Sequence, residues 1–311
     1  MILRGAALAL LLSLSLCAAD LVTDVRIALA QGDLAGAERL VAQYRKFAGV
    51  TPELADAVSW LGRGALAAKN LDAAESYARQ ANQLCVEQLK SRKLDNDPHL
   101  ALGLGAAIEV QGLVLAQRGE RAEAVAYLRG ELARYRTTSI RARIQKNINL
   151  LTLEGKPAPA LDVAHWIGER PPSAAALRGK PVLLFFWAHW CPDCKQQAPV
   201  LAALQKRFKD LIVIGPTQRY GYVAGGMDAP PEVEEKYIEQ VRRQFYGEVA
   251  MTVPVSEENF RNFGASTTPT LALIDRRGIV RLYHPGRMTY EDLAPLVARV
   301  DAPLPAPAAT K

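Results

Sequence analysis

Residues 179–194 read Gly179-Lys-Pro-Val-Leu-Leu-Phe-Phe-Trp-Ala-His-Trp-Cys-Pro-Asp-Cys194. The continuous apolar run from Val182 to Trp187 is typical of a strand that is buried on both faces of a sheet. Two cysteines follow the end of this strand, and residues 195–209 have the pattern of a helix, in which Pro199 is expected to produce a kink. The stretch predicts an α/β domain with a Cys-x-x-Cys pair at a strand-to-helix junction.

The position of the two cysteines suggests their chemistry. Unpaired backbone amides and the positive end of the helix dipole would stabilise a thiolate at Cys191. Cys194 lies one helical turn further on, where its sulfur can reach that of Cys191 and resolve a mixed disulfide. The order of strand, Cys-x-x-Cys and helix therefore indicates thiol–disulfide exchange.

The residues after this motif continue to alternate between strand and helix patterns. A mixed central sheet with helices on both faces follows from this alternation and from the hairpin near its end. The predicted strands are 211–215, 270–275 and 279–283, and the predicted helices are 232–246, 257–263 and 289–300.

Two motifs make a family resemblance specific. Phe186-Trp-Ala-His-Trp-Cys-Pro-Asp-Cys194 and Thr267-Thr-Pro-Thr-Leu-Ala-Leu-Ile-Asp275 resemble those of the thioredoxin superfamily, and residues 156–300 are most similar to its secreted TlpA/ResA-like branch. The resemblance implies that Cys191 is the catalytic nucleophile and Cys194 the catalytic resolving thiol. It also implies that Pro269 is a cis-proline facing the disulfide and that Thr268 presents its backbone to the substrate. Trp190 is assigned to the same substrate-binding site.

Three residues beside the cysteines are expected to tune the redox couple, namely Pro192, Asp193 and His189. The negative charge of Asp193 opposes the helix dipole, which disfavours the thiolate and moves the couple toward reductases. We interpret His189 as an exposed loop residue that tunes the local field.

The chain departs from thioredoxin in two places. Thioredoxin has a buried Asp six residues before its first cysteine, and this chain has Phe185 there, so proton handling must come from elsewhere. Residues 216–252 form a longer segment with an added helix, which fits the secreted branch and is expected to shape the substrate face.

Residues 20–155 are predicted to form an all-α domain of helical hairpins. Three similar stretches, 31–40, 69–78 and 118–127, each read as a turn followed by a helix with a small residue at the crossing: Ala37, Ala74 and Ala124. They resemble the tetratricopeptide pattern, although their spacing is irregular, and an unclassified helical bundle is the alternative. Residues 138–153 predict a last helix that caps the array. Cys85 is expected to be a buried structural thiol.

The N-terminus indicates export. A short basic start ends at Arg4, and residues 5–19 are uncharged and apolar, which is shorter than the roughly 20 residues of a membrane span. We predict a signal peptide at 1–19, cleaved after Ala19, and therefore a periplasmic or otherwise exported protein. An uncleaved membrane anchor and a lipoprotein attached through Cys17 are the alternatives. Residues 301–311 are predicted to be a disordered tail rich in Pro and Ala.

Composition and motifs exclude several other classes. The formal net charge of +6 is spread over both domains, so we expect no nucleic-acid partner. Haem attachment needs a His where Lys195 stands, a structural zinc site needs four ligands, and a peroxidase motif is missing. We expect no metal and no cofactor beyond the redox-active disulfide Cys191–Cys194.

The sequence therefore predicts two domains, a tetratricopeptide-like array followed by a thioredoxin fold, that form an exported thiol-disulfide oxidoreductase. Its expected partners are a protein disulfide or dithiol substrate, a membrane or soluble thiol as electron donor, and a protein bound by the helical domain. Reduction of protein disulfides is the preferred direction. The alternatives are a disulfide-forming oxidase and a helical scaffold with a regulatory redox pair.

Overall fold

The computed structural model describes residues 20–302. The predicted signal peptide at 1–19, and residues 303–311 of the predicted tail, lie outside the described residues. Asp301, where that tail was predicted to begin, is the last residue of a helix.

The first part of the described chain is helical. Its helices are α1 (Leu21–Ala30), α2 (Leu34–Ala48), α3 (Pro52–Ala67), α4 (Leu71–Gln88), α5 (Pro98–Gln117), α6 (Arg121–Arg134) and α7 (Arg141–Thr152), with a 3₁₀ turn at Leu94–Asn96.

The second part has the predicted α/β order. Its elements are β1 (Trp166–Ile167), β2 (Val182–Phe186), α8 (Pro192–Arg207), β3 (Ile212–Ile214), α9 (Pro231–Tyr246), β4 (Met251–Pro254), α10 (Glu257–Phe263), β5 (Thr270–Ile274), β6 (Val280–Pro285) and α11 (Tyr290–Asp301), with a 3₁₀ turn at Ala224–Gly226.

Small residues at the helix crossings let the first part pack closely. Ala37, Ala74 and Ala124 are completely buried. A Cβ atom on Gly112 of α5 would lie 2.8 Å from Leu128 of α6, so only glycine fits there without a shift. These contacts agree with the predicted small-residue crossings, and the tetratricopeptide assignment itself stays a prediction. Cys85 is buried and free, as predicted.

Helix α5 forms the centre of this helical part. Among residues 20–302 it is the one helix whose length and apolar composition would suit a membrane span. More than half of that apolar stretch is buried within the structure, as in the core helix of a soluble protein.

The sheet of the second part is mixed, and helices cover both of its faces. The strand order is β1-β4-β3-β2-β5-β6, in which β2, β3 and β4 are parallel and β5 and β6 are antiparallel. Alternate residues of β2 enter two clusters: Phe185 packs with α8, α9 and α11, and Phe186 packs with α10. The mixed α/β architecture is thereby confirmed. Strands β1 and β4 were not predicted, and α8 continues through Pro199 as a single helix.

The two parts meet at a packed junction. Leu153, just after α7, is buried in the same cluster as Phe260 and Phe263 of α10. The buried Asn149 side chain donates a hydrogen bond to the carbonyl oxygen of Phe263 over 2.9 Å. The segment that follows also pairs with β6, since the Gly155 amide donates to Val280 over 2.8 Å. The boundary at 155/156 stays a prediction, but the residues on either side of it are held by these contacts.

Candidate active site

The cysteine pair lies at the N-terminus of α8. Cys191 is the N-cap residue and is joined to Cys194 by a disulfide, with the two Cα atoms 5.3 Å apart. The backbone amide of Cys194 donates to the Cys191 sulfur over 3.0 Å, which is the contact that would stabilise a Cys191 thiolate. Cys191 is 2% exposed and Cys194 is completely buried, so the first sulfur is the more accessible one.

The helix begins earlier than predicted because of Pro192. Proline suits the first position of a helix, where an amide hydrogen would have no partner. Pro192 occupies this position, so both Pro192 and Asp193 belong to the first turn of α8.

The loop before β5 lies against the disulfide. The peptide bond between Thr268 and Pro269 is cis, as the resemblance implied. The carbonyl oxygen of Thr268 lies 3.4 Å from the Cys191 sulfur, although the two residues are 77 positions apart. The structure therefore brings Thr268 and the cysteine pair together. Substrate binding by Thr268, Pro269 and Trp190 stays a prediction.

Trp190 presents an aromatic surface next to the redox pair. Its side chain is 46% exposed, so the ring offers apolar surface beside the cysteine pair. Its ring packs edge-on against Tyr220, with the ring centroids 5.6 Å apart. Tyr220 belongs to the longer segment that was expected to shape the substrate face.

The prediction that His189 is exposed is wrong: this residue is buried, with 1% of its surface exposed. Its effect on the redox couple stays a prediction. Its Nε2 atom lies 3.3 Å from Oε1 of Glu234 on α9, which is equally buried. Desolvation lowers the pKa of His189, so the ring is neutral at pH 7. The partner is 45 residues away in sequence, which is why the local pattern did not reveal it.

Glu234 is a site residue that the sequence did not single out. Its carboxylate accepts hydrogen bonds from the amides of Tyr220 and Gly221, over 2.5 and 2.9 Å. It therefore connects α9, His189 and the loop that carries Tyr220. The Gly- and Tyr-rich composition at 220–226 was the visible signal, but it did not indicate which carboxylate would hold the loop.

The charge of Asp193 has a partner. Arg287 Nε lies 3.3 Å from Asp193 Oδ1, and both side chains are about half exposed. Arg287 was not predicted because it stands in the loop before α11. The positive charge of Arg287 partly cancels the electrostatic field of Asp193 at the Cys191–Cys194 pair.

No carboxylate reaches the site from β2. Phe185 is completely buried where thioredoxin has an Asp, and its ring lies 5.8 Å from that of Tyr246. Within residues 20–302, no group of three or more His, Cys, Asp or Glu side chains is placed to hold a metal ion.

A redox disulfide at the start of a helix, facing a cis-proline loop at the edge of a mixed sheet, defines a class: the thiol-disulfide oxidoreductases of thioredoxin fold. Comparisons with known proteins agree. Residues 172–301 match the family model described as a thioredoxin-like domain.

Among curated relatives, the thiol:disulfide interchange protein DsbE of Xylella fastidiosa is 33% identical over 165 residues, covering 50% of this chain and 76% of that protein. The thioredoxin-like protein YneN of Bacillus subtilis is 29% identical over 143 residues, covering 45% of this chain and 76% of the relative. A thiol:disulfide interchange protein of Chlorobium tepidum has a solved structure, with 21% identity and a TM-score of 0.36, covering 48% of this chain and 99% of the other. The chain belongs to the thioredoxin-like family of thiol-disulfide oxidoreductases that includes DsbE.

Proposed function

We propose that this oxidoreductase is exported and reduces disulfides in protein substrates. The observation that carries the chemistry is the 3.0 Å hydrogen bond from the Cys194 amide to the Cys191 sulfur at the start of α8. A sulfur held there is the one whose thiolate the helix stabilises. The apolar N-terminal sequence supports export. The description of relatives as thiol:disulfide interchange proteins supports exchange on protein disulfides.

The first step is attack by the Cys191 thiolate on one sulfur of the client disulfide. A bond forms between Cys191 and that sulfur, the client S–S bond breaks, and the second client sulfur leaves as a thiolate with the electron pair. The Thr268 carbonyl is in contact with the Cys191 sulfur, so the client chain passes over this loop as it reacts.

The second step regenerates the enzyme disulfide. Cys194 loses its proton and attacks the Cys191 sulfur, and the first client sulfur leaves as a thiolate. Cys194 is buried, and the neighbouring strand carries Phe185 rather than a carboxylate that could accept its proton. We therefore propose that the client thiolate released in the first step accepts the proton of Cys194. The protein is left oxidised, and a thiol donor must return two electrons.

A charge beside the cysteines supports the proposed direction. Strong oxidants of this fold stabilise the thiolate of their attacking cysteine, which lowers the pKa of that thiol and stabilises the reduced form. This chain has an acidic residue, Asp193, in the first turn of α8. A carboxylate there works against the thiolate, which favours the reductase over the oxidase.

Two measurements test the proposal. Equilibration with glutathione buffers gives the reduction potential of the Cys191–Cys194 couple. We expect a value well below that of the strong oxidant DsbA, which is about −120 mV. A potential near that value would mean that the protein is an oxidase.

The second measurement traps the client. Cys194→Ser should accumulate a mixed disulfide between Cys191 and a protein substrate, whereas Cys191→Ser should abolish exchange. Mass spectrometry identifies the attached cysteine. Clients linked to Cys194 in the Cys191→Ser variant would reverse the two assigned roles.

A further inference from the structure

A cleft between the two parts of the molecule ends at the redox site. Its volume is about 500 Å³, within the range of ligand-binding clefts. The α/β part contributes Trp190, Thr268 and Gln218, and the helical part contributes Thr137, Ser139 and Arg141. The same cleft therefore joins the loop that touches Cys191 to the connection between α6 and α7.

The helical side of the cleft is held in place. The Ser139 amide donates to Asp95 over 3.1 Å, and the Thr138 hydroxyl donates to the carbonyl of Tyr135 over 2.8 Å. Arg141 pairs with Glu258 of α10 over 3.3 Å. Residues 137–142, named here the clamp loop, include the first two residues of α7. The first two contacts hold this segment within the helical part, and the Arg141–Glu258 pair joins it to the α/β part.

The lining of the cleft combines aromatic, hydroxyl and charged side chains, and its charges are balanced. Each arginine has an acidic partner, since Arg141 pairs with Glu258, and Arg261 pairs with Glu257 and Glu258. Hydroxyl groups of the clamp loop and of Ser266 and Thr268 supply the remaining polar surface. Such a lining offers hydrogen bonds to a polypeptide backbone and small polar side chains.

We propose that the cleft binds the extended segment of a client protein that flanks its reacting cysteine on one side. The clamp loop would then make the helical part a determinant of client specificity. The preferred segment carries small, neutral, polar side chains. This inference rests on the proposed function, because the client must react at Cys191.

Peptides activated with 5-thio-2-nitrobenzoate test the proposal on the full chain. In the pre-reduced protein, the Cys191 thiolate attacks the peptide sulfur, and the coloured thiolate leaves with the electron pair. Cys194 then displaces the peptide thiol. The probes are the mixed disulfide of acetyl-cysteine amide and two peptides that extend it by about four Ser or Asn residues on one side only, roughly 13 Å when extended.

Two variants separate the cleft from the chemistry. Thr137→Trp fills the cleft from the clamp loop, where Thr137 is exposed. The matched control is Ala133→Trp, at an exposed position of α6 outside the cleft lining. We expect the unmodified protein to react with one of the extended peptides about tenfold faster than with acetyl-cysteine amide. Thr137→Trp should remove this preference and leave the small probe unaffected, and Ala133→Trp should keep both rates.

Three outcomes would overturn the cleft proposal alone. Two of them are equal rates for all three probes in the unmodified protein, and a preference that survives Thr137→Trp. Loss of the small-probe reaction in Thr137→Trp would also overturn it, because the clamp loop would then act on the redox centre. If the unmodified protein does not react even with the small probe, the proposed function fails and the inference fails with it.

Discussion

At the scale of single residues, the charge of Asp193, two positions after Cys191, and the opposite charge of Arg287 influence the redox couple. Asp193 is in the first turn of α8, and Arg287 Nε lies 3.3 Å from Asp193 Oδ1. Both are about half exposed, so salt screens their effect and the expected shifts are modest.

Removing the charge of Asp193 and removing the charge of Arg287 should shift the reduction potential of the Cys191–Cys194 couple in opposite directions. Asp193→Asn should lower the pKa of the Cys191 thiol and make the protein more oxidising by about 15–30 mV, from a repulsion across roughly 6 Å at an effective dielectric of about 40–80. Arg287→Gln should make it more reducing, because Asp193 is then unopposed. Glutathione titration and thiolate absorbance against pH measure both effects. Shifts of equal sign, or shifts that do not shrink in high salt, would contradict this electrostatic explanation.

The buried His189–Glu234 pair should make stability depend on pH. Desolvation lowers the pKa of His189 below its ordinary 6.5, so the unfolded chain binds a proton that the folded chain does not. Stability is therefore complete above pH 6.5 and falls as pH decreases toward the folded pKa, by at most about 1.4 kcal/mol at pH 5.5.

One histidine variant tests this pH dependence. In His189→Gln the loss of stability between pH 7.5 and pH 5.5 should be smaller than in the unmodified protein, as measured by urea unfolding. An unchanged pH dependence in His189→Gln would mean that other groups cause it.

At the scale of elements, the junction of α7 and α10 depends on one glycine. Gly264 ends α10 in the left-handed conformation, with φ +61°, and a Cβ atom there would collide with the backbone of Lys146 in α7. Gly278 has the same kind of backbone, with φ +81°, but has nothing within 4 Å of the Cβ position. The two glycines therefore separate backbone strain from collision.

Alanine substitutions at these glycines should have unequal costs. Gly278→Ala should cost the left-handed strain alone, about 1–2 kcal/mol of the free energy of unfolding. Gly264→Ala should cost this strain and also push α7 away from α10, so its loss should be larger by about 1 kcal/mol or more. Urea unfolding gives both values, and hydrogen exchange should show weaker protection in α7 only for Gly264→Ala. Equal losses would show that the junction adapts without cost.

Elements with strong periodic signals could be predicted from the sequence, and contacts between distant segments could not. The apolar run at β2 and the helix at 257–263 were placed correctly, because burial and periodicity are local properties. Strand β1 has two residues, which is too short for a recognisable sequence pattern, and it forms by pairing with β4 in the tertiary structure. His189 was misplaced for the same reason, because its buried partner Glu234 comes from α9.

At the scale of the whole molecule, the two parts share apolar surface through Leu153. This side chain follows α7 but is buried among residues of the α/β part. Leu150, in the same helix, is 42% exposed. The shared cluster implies that each part stabilises the other.

Alanine substitutions at Leu153 and Leu150 measure this mutual stabilisation in the full chain. Leu153→Ala should lower the free energy of unfolding by about 2–5 kcal/mol, as for other buried leucines. Leu150→Ala should change it by less than about 0.5 kcal/mol. Denaturant unfolding followed by fluorescence gives both values. Similar small losses in the two variants would mean that the junction contributes little.

A fragment that begins at Lys156 tests whether the α/β part folds without the helical part. It keeps every described strand of the sheet and all four helices from α8 to α11, so it should unfold cooperatively and exchange with a small disulfide. It lacks Leu153 and the Asn149 hydrogen bond to Phe263, so its midpoint in urea should be lower than that of the α/β part within the full chain. An insoluble fragment, or one without a cooperative transition, would show that the two parts form one folding unit. A midpoint equal to that in the full chain would show instead that the α/β part gains no stability from α7.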